Sequence, residues 1–548
     1  MDPAARPTAL PSLPKKQPNF LVFMTDQQRA DHLGCFGNGL VRTPHIDALA
    51  NVGAVFERFY VNAPVCMPNR AALATGRMPG AAGVRMNGVP LPLSAVTYAD
   101  ALREAGYRTA LIGKAHFQNM TDAQPSPVSG ESIIPRARQA DRDDRTGDAY
   151  DCELQEQWLR PDFHIPLPYY GFDEAALCLE HGDTVGGDYE RWLQVQDPKS
   201  NERRHHGSAS ALDTDAPVHA PQAWRTALDE RLYPTSFIAE RAREWLRQHA
   251  CGSDRGRPFL LQCSFPDPHH PFTPPGRYWS MYDPGAVQLP PSFAAAPASA
   301  PPHKRALHQE LAEGRRRTSG SRVIAVTAAE ARQAIALNYG AISMVDDAVG
   351  RIMQTLRELE LDDDTVVIFL SDHGDFMGDH GLLFKGPLHY QSVVRMPFIW
   401  RDTATVRRAQ RVNALACAMD LAPTLLARAG VLPFHGMQGC SLLAYLRSEP
   451  ETVLATDRAI LVEEQSHRDV PGLPSPPRVR TLITDRWRLS IFAGAQWGEL
   501  YDLQEDPHEI HNRFMDLQCH GIRGDLLWRL SRKMAELAPN LPLPARMA

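Results

Sequence analysis

The segment NFLVFMTD, residues 19–26, is a continuous apolar run that ends in an acidic residue. Such a run is typical of a strand that is buried on both faces of a parallel sheet. Asp26 then stands at the carboxyl end of this strand. Ligands bind beyond the carboxyl ends of the strands in open α/β sheets, so the segment predicts a parallel sheet and the edge at which a site would form.

Strand and helix patterns alternate along the chain after this segment. In TPHIDALANVG, residues 43–53, Thr43 can cap a helix that has Pro44 at its first position. We therefore predict an α/β fold with a large, mostly parallel sheet flanked by helices. The alternation returns in TYADALREAGYRTALIGKAHF at 97–117, in RPFLLQCSF at 257–265, and in an amphipathic pattern at about 329–361 that leads into TVVIFLSDHGD at 365–375.

The remaining segments differ from this pattern. Residues 117–235 are polar, and residues 290–321 are biased toward Pro, Ala, Ser and Arg, which predicts irregular insertions or lids. Segments such as RTLITDRWRLSIF predict antiparallel strands in a smaller α+β subdomain near the C-terminus. We expect a disordered tail at 1–17, a catalytic domain at 18–430 that contains both insertions, and a C-terminal subdomain at 431–548.

Composition excludes several classes of partner. The net charge of −6 is small for 548 residues and spread along the chain, which favours a small-molecule partner over nucleic acid. No stretch of about twenty apolar residues is present to span a membrane. The N-terminal MDPAARPTALPSLPKKQP lacks the apolar region of a signal peptide, and the nine cysteines form no C-x-x-C pair. A reducing, cytoplasmic location is therefore expected.

One cysteine lies at the start of a predicted short helix. In VCMPNRAALATGR, residues 65–77, Pro68 suits the first helical position and Gly76 the C-terminal end. Backbone N–H groups at that end favour negative charge, and Arg70 lies about one turn further along. Three interpretations of Cys66 remain open at this point: a buried small hydrophobe, an incidental surface thiol, or a thiolate nucleophile with a lowered pKa.

Polar residues follow the other predicted strands as Asp26 follows the first. They are Lys114, His269, Asp372 and His373, and the carboxyl ends of parallel strands meet at one edge of a sheet. Each has an ordinary structural interpretation when it is considered alone, such as a helix cap, an ion pair or a solvated lysine. Their convergence predicts one site.

C-x-P-x-R followed by T-G-R, within residues 66–77, resembles the signature of the type I sulfatases and the similar phosphonate monoester hydrolases of the alkaline phosphatase superfamily. Companion segments occur in the family's order over most of the chain: TDQQRADHLGCFGN, LIGKAHF, DPHHPF, SDHGDFMGDHGLLFKGPLHYQSVVRMPFI and ELYDLQEDPHEIHNRF. The resemblance implies an alkaline-phosphatase-like fold. It also implies that a formylglycine-generating enzyme oxidises Cys66 to formylglycine, whose hydrate replaces the thiol as nucleophile.

The resemblance further implies one divalent metal ion. Its ligands would be Asp26, Gln27, Asp372 and His373, together with an oxygen of the hydrated aldehyde at residue 66. Calcium or magnesium suits the oxygen ligands. Many relatives have aspartate where this chain has Gln27, and the loss of one negative charge beside a histidine nitrogen makes manganese a competitor to calcium.

The remaining roles also come from the resemblance. Arg70 would orient the nucleophile, and Lys114 and His116 resemble the pair that binds sulfate and removes a proton from the hydrate. Residues two apart on a strand point the same way, so both can face one pocket.

His269 and Lys385 resemble the residues that contact the transferred group and protonate the leaving oxygen, with His270 as the competitor to His269. Asn87 matches a substrate-contacting asparagine by its offset from the cysteine, although a turn-forming Asn-Gly pair explains it equally well.

These features favour hydrolysis of small-molecule sulfate monoesters. The pairs Asp26-Gln27 and Asp372-His373, together with the missing export signal, favour a phosphonate monoester or a phosphodiester as the substrate instead. The Lys114-x-His116 pair favours a sulfate ester. A catalytically inactive metal-binding protein and a plain cysteine hydrolase complete the alternatives. The family often forms symmetric assemblies, so a homo-oligomer is among the expectations.

Overall fold

The computed structural model describes residues 17–122, 145–204 and 218–541, apart from 296, 298, 321, 407, 448–457 and 467. The predicted tail at 1–17 lies outside the described residues except for Gln17, as do parts of both predicted insertions. No helix among the described residues is long and apolar enough to cross a membrane.

Within these ranges, nine strands form one large sheet, four form a separate C-terminal sheet, and four form two small two-stranded sheets. The strands are β1 (Asn19–Thr25), β2 (Ala54–Phe56), β3 (Phe59–Tyr60), β4 (Arg108–Gly113), β5 (Glu174–Leu179), β6 (Gly186–Gly187), β7 (Phe259–Ser264), β8 (Ile324–Ala325), β9 (Thr365–Ser371), β10 (Leu382–Leu383), β11 (Phe398–Arg401), β12 (Gln410–Val412), β13 (Ala416–Cys417), β14 (Ile460–Gln465), β15 (Arg478–Ile483), β16 (Trp487–Phe492) and β17 (Gly498–Asp502).

The large sheet is mostly parallel, as predicted. Its order is β12-β2-β11-β9-β1-β7-β4-β5-β6, and β1 lies between two parallel neighbours, β7 and β9. Antiparallel pairing occurs where β11 meets β2 and β9, and where β6 meets β5. Every residue of β1, β7 and β9 is buried, which is why these strands are continuous apolar runs.

Twelve α-helices accompany these strands in the described residues. In chain order they are α1 (Pro44–Ala50), α2 (Cys66–Thr75), α3 (Tyr98–Glu104), α4 (Gln155–Trp158), α5 (Asp188–Gln196), α6 (Pro234–Cys251), α7 (Pro302–Ala312), α8 (Ala328–Glu358), α9 (Gln391–Val394), α10 (Leu421–Ala429), α11 (Leu443–Leu446) and α12 (His520–Glu536).

The start of α2 differs from the prediction. The helix begins at Cys66, two residues before the expected Pro68, and ends at Thr75, where it is followed by Gly76, whose φ of 65° is left-handed. A proline at the third helical position is tolerated because the first N–H groups of a helix have no partner within the helix. Cys66 is consequently the first residue of the helix.

The two predicted insertions are not irregular throughout. Within the first, residues 174–179 form β5 and pair in parallel with β4, so the segment extends the main sheet. Within the second, residues 302–312 form α7. The expectation of irregular structure was wrong here, because a single short apolar run such as EAALCL carries too little periodicity to stand out in polar surroundings.

The C-terminal sheet is antiparallel, as predicted, with the order β14-β15-β16-β17. Helix α12 packs on this sheet through Leu526 and Leu530, its buried residues. The domain boundary at residue 430 stays a prediction.

Candidate active site

The carboxyl ends of four parallel strands meet at one buried centre. Asp26 follows β1, Lys114 follows β4 and Asp372 follows β9 directly, and all three side chains are fully buried. His269 lies in the loop that follows β7 and is 5% exposed. The predicted convergence is therefore present in the fold.

Cys66 lies inside this centre. Its Sγ is 3.1 Å from Nε2 of His373, 3.3 Å from Nζ of Lys385 and 3.8 Å from Oδ1 of Asp26. Burial raises the pKa of the thiol, the charge of Asp26 raises it further, and Lys385 and Lys114 oppose the shift only in part. Of the three interpretations left open for Cys66, the thiolate with a lowered pKa is therefore disfavoured, because desolvation and a carboxylate act against it.

Four side chains form a cluster that fits a divalent cation. Ligand atoms of Asp26, Cys66, Asp372 and His373 all lie within 4.8 Å of one another, and all four residues are buried. Nδ1 of His373 donates to the Gly374 carbonyl at 2.9 Å, which leaves the lone pair of Nε2 toward Cys66 and Asp26. Burial lowers the pKa of His373 to about 4, so this imidazole is neutral, as a metal ligand must be.

Arg70 is hydrogen-bonded to the carboxylates of both Asp26 and Asp372. Its Nε donates to Asp372 at 2.8 Å, its Nη2 donates to Asp26 at 3.3 Å, and its Nη1 donates to the Lys114 carbonyl at 2.9 Å. The guanidinium is 2% exposed. Arg70 is thus committed to orienting the acidic side chains.

Lys114 is the closest cation to Asp26. Its Nζ donates to Asp26 Oδ2 at 2.5 Å. Burial acts to raise the pKa of Asp26, but the charges of Lys114, His269 and Arg70, with a hydrogen bond from His181, hold it well below its usual value. Asp26 is therefore ionised and available to a cation.

Lys385 and His269 form a proton-bearing pair. Lys385 Nζ donates to His269 Nε2 at 2.8 Å and to Gln27 Oε1 at 2.5 Å. Nδ1 of His269 contacts the His270 carbonyl, and burial, followed by nearby cationic groups, holds the pKa of His269 well below its usual value. The proton shared by the pair therefore lies on Lys385.

The side chain of Gln27 contacts Lys385 and two further neighbours. Its Oε1 accepts from Lys385, and its Nε2 contacts Asp375 Oδ2 and lies 3.1 Å from His270 Nδ1. The amide oxygen therefore already has a partner, and the predicted metal ligation by Gln27 stays a prediction.

His116 and Asn87 lie at the margin of the centre. The His116 backbone N–H donates to Glu153 at 2.6 Å, and its buried Nδ1 has no hydrogen-bond partner among the described residues. Asn87 Oδ1 accepts from the Met67 N–H at 3.1 Å, so this side chain caps the first turn of α2. Its substrate contact stays a prediction.

His181 is a member of the centre that the sequence analysis missed. Its Nε2 contacts Lys114 Nζ and lies 3.6 Å from Asp26 Oδ2, and its ring stacks on His269 with 3.6 Å between centroids. The residue follows β5, the strand hidden in the first insertion. Recognising EAALCL as a buried strand was the only signal that could have found it.

Comparison with known proteins places this geometry in a family. The sulfatase family model matches residues 18–431, and the model for the C-terminal domain of N-sulphoglucosamine sulphohydrolase matches residues 378–536.

Similar proteins extend over nearly the whole chain. The uncharacterized sulfatase YidJ of Escherichia coli is 28% identical over 93% of this chain and 86% of its own length. The arylsulfatase of Clostridium perfringens is 26% identical over 90% of each protein. The crystal structure of the phosphonate monoester hydrolase of Agrobacterium radiobacter superposes with a TM-score of 0.72 at 25% identity, covering 95% of this chain and 96% of that chain. The chain belongs to the sulfatase family, among the type I sulfatases of the alkaline phosphatase superfamily.

Proposed function

We propose that the protein hydrolyses sulfate monoesters, R–O–SO₃⁻ with water giving R–OH and sulfate, through formylglycine at position 66. The observation that carries the proposal is the position of Cys66, whose Sγ lies 3.1 Å from His373 and 3.3 Å from Lys385 inside a cluster of buried ligands. A side chain there is held between acidic ligands and amine donors, as a nucleophile for an anionic ester must be.

The groups that the family implies fit these residues. Asp26, Asp372 and His373 would hold a divalent ion, with calcium, manganese and magnesium all compatible with two carboxylates and one imidazole. When bound, the ion would cancel charge on the ester, and formylglycine would supply a hydrated aldehyde as nucleophile. Arg70 keeps the two carboxylates in place for that ion.

The remaining residues handle the ester oxygens and the protons. Lys114 and Lys385 are both close enough to Cys66 for their charges to act on its pKa, and they would bind the sulfate oxygens as charge develops on them. Lys385, which holds the proton shared with His269, would protonate the leaving oxygen. His116, neutral because burial lowers its pKa well below the usual value, would accept the proton released when sulfate leaves residue 66.

The closest alternative keeps the site and changes the ester to a phosphonate monoester or a phosphodiester. Gln27 and His373 favour it because they carry less negative charge than two carboxylates would, and the phosphonate monoester hydrolase of A. radiobacter shares the fold. Lys114 and His116 favour sulfate.

Two further alternatives have weaker support. A thiolate hydrolase is disfavoured because burial and Asp26 raise the pKa of Cys66. An inactive metal-binding protein would not require Lys385, which is hydrogen-bonded to His269, to contact the Sγ of Cys66 in the cation cluster.

Relative rates on three substrates test the proposal: 4-nitrophenyl sulfate, 4-nitrophenyl phenylphosphonate and bis(4-nitrophenyl) phosphate. The protein is produced together with a formylglycine-generating enzyme and assayed with each divalent ion in turn. We expect the highest kcat/KM on the sulfate. A higher kcat/KM on either phosphorus ester would replace the sulfatase assignment with the alternative, and no turnover on any of them would favour the inactive protein.

A further inference from the structure

A small cavity lies beside Lys385, between the main domain and the C-terminal sheet. Its volume of about 50 Å³ admits a group of a few atoms, and residues of the loop after β10 and of the end of β14 help to line it. Lys385 joins the cavity to the catalytic centre, because its Nζ lies 3.3 Å from Cys66 Sγ. A group on the alcohol part of an ester held at Cys66 can therefore reach this cavity.

Glu464, in β14, lines this cavity and has one unused carboxyl oxygen. Its Oε2 lies 3.3 Å from Nε2 of His389, which fixes the direction of the side chain. Its Oε1 has no hydrogen-bond partner among the described residues and is not sealed from solvent, although the residue as a whole is only 4% exposed. The charge of Lys385 acts on this carboxyl, so the two groups are close. Oε1 is thus a free hydrogen-bonding atom near the catalytic amine.

The fold does not account for an acid at this position. Burial raises the pKa of Glu464 to about 8 and lowers the pKa of His389 to about 3, so both side chains are neutral at pH 7 and form no ion pair. His389 has another partner, because its Nδ1 lies 2.8 Å from Thr481 Oγ1. A buried carboxyl destabilises a fold unless its oxygens are hydrogen-bonded, and one oxygen of Glu464 is not. An incompletely paired acid beside a reactive centre indicates a role in binding a ligand.

We propose that Glu464 determines substrate specificity, and that its free carboxyl oxygen forms a hydrogen bond with a hydroxyl group on the alcohol part of the ester. The inference rests on the proposed hydrolase function and adds a substrate class to it: sulfate esters of alcohols that carry a further hydroxyl group.

A hydroxyl group suits Oε1 in either arrangement of the proton between Glu464 and His389. If the acid proton lies toward His389, Oε1 is a carbonyl oxygen that accepts a hydrogen bond from the hydroxyl group. If His389 donates to Oε2 instead, the acid proton lies on Oε1 and is donated to the hydroxyl oxygen. In both arrangements the neutral acid adds no negative charge beside an anionic ester, which a carboxylate would repel.

Two matched pairs of esters test the inference: 3-hydroxyphenyl and 3-fluorophenyl sulfate, and the corresponding 4-substituted esters. Fluorine is close in size to a hydroxyl group and leaves the phenol nearly as acidic, but it cannot donate a hydrogen bond and accepts one only weakly. In the wild-type protein we expect kcat/KM for the hydroxyl ester to exceed that for the fluoro ester by about tenfold in at least one pair, the effect of one hydrogen bond in a buried site.

Variants in β14 locate the preference. Glu464→Leu should bring the ratio of the two kcat/KM values toward one, whereas Glu464→Gln keeps a donor and an acceptor and should retain a higher ratio. Glu463→Leu is the matched control, because adjacent residues of a strand face opposite sides and Glu463 lies 3.3 Å from Arg480 instead. This control should keep the wild-type ratio. The thermal midpoint of each variant checks that the fold is intact.

The outcomes separate this inference from the function on which it rests. Equal kcat/KM values within both pairs in the wild-type protein, an unchanged ratio in Glu464→Leu, or the same ratio in Glu464→Gln and Glu464→Leu would overturn the role of Glu464 and leave the sulfatase proposal standing. An equal fall of the ratio in Glu463→Leu would overturn that role as well. Turnover of none of the sulfates would overturn the sulfatase proposal, and the same pairs made as aryl phenylphosphonates would then judge Glu464. Turnover on neither scaffold would overturn both.

Discussion

Two buried clusters of charge in this molecule contain similar residues but differ in how those residues are arranged. One is the strand-end centre around Cys66, described above. The other, the C-terminal charge cluster, consists of Arg488, Glu499, Glu509, Tyr390 and Tyr501 and joins β16 and β17 to α9. Arg488 is fully buried, its Nη1 donates to Glu499 at 2.8 Å, and its Nε contacts Glu509.

In the C-terminal charge cluster each ion faces one of opposite sign. The Arg488 guanidinium also lies 4.8 Å from the ring centroid of Tyr390 and 4.6 Å from that of Tyr501. In the strand-end centre Arg70 and Lys114 also pair with the carboxylates, but ligand atoms of Asp26, Asp372 and His373 additionally lie close together beside Cys66. Paired charges neutralise each other within a fold, whereas convergent ligands of like character are typical of a site that binds a cation.

The largest difference between the clusters should appear when the central side chain is removed. Cys66→Ala should lower kcat by about 10⁴-fold or more, because the nucleophile is lost. Cys263→Ala removes another buried thiol, in β7, and should keep kcat within about threefold while lowering stability by about 1 kcal/mol. Turnover and chemical denaturation measure the two effects, and comparable activity losses in both variants would contradict the assignment of Cys66.

The next largest effect concerns Lys385, the proposed proton donor. Lys385→Met should lower kcat by about 10²-fold or more, with a greater loss on alkyl sulfates than on 4-nitrophenyl sulfate, because poor leaving groups need the proton most. Lys304→Met, a buried amine whose Nζ donates to the Ala295 carbonyl, provides the control. A loss that does not depend on the leaving group would remove the acid role from Lys385.

A substitution in the C-terminal charge cluster should lower the stability of the protein rather than its activity. Arg488→Met leaves Glu499 without its cation and should lower the free energy of unfolding by about 3–5 kcal/mol. The kcat of the folded fraction should stay within about threefold of the wild-type value. A large loss of kcat in correctly folded protein would show that this cluster also serves the reaction.

A smaller effect is expected for His181. Because it contacts Lys114 and stacks on His269, His181→Ala should misplace both and lower kcat by roughly ten- to a hundredfold. His181→Gln keeps a polar atom near Lys114 and should recover part of the loss. Bound metal, measured by elemental analysis, should be unchanged, and a loss of metal would instead make His181 a ligand.

The smallest effect is a pH dependence at Glu464. Its pKa is raised by burial from 4.5 to about 8, so the folded state binds a proton that the unfolded state releases. This contribution to stability is complete below about pH 4.5 and falls as pH rises toward 8. Glu464→Gln should remove this fall in the free energy of unfolding, which amounts to about 1 kcal/mol between pH 6 and pH 7. Plots of the free energy of unfolding against pH that run parallel for Glu464→Gln and the wild-type protein would contradict this prediction.

The sequence could predict the strand-end residues because their strands are fully buried. Apolar runs such as NFLVFMT leave a clear pattern, and the polar residue after each run then falls at the shared edge of the sheet. Asp26, Lys114 and Asp372 were found in this way.

Other residues could not be predicted because their positions depend on tertiary structure. His181 follows a short strand surrounded by polar sequence, so its place beside Lys114 could not be read from the sequence alone. The choice among the three interpretations of Cys66 also depended on tertiary structure, since the local helix argument contains neither burial nor the Asp26 carboxylate.

The chemical state of residue 66 tests the central claim most directly. Mass spectrometry of the peptide that spans it, from protein produced with a formylglycine-generating enzyme, should find the aldehyde, and turnover should rise in proportion to the converted fraction. An intact thiol in fully active protein would contradict the account.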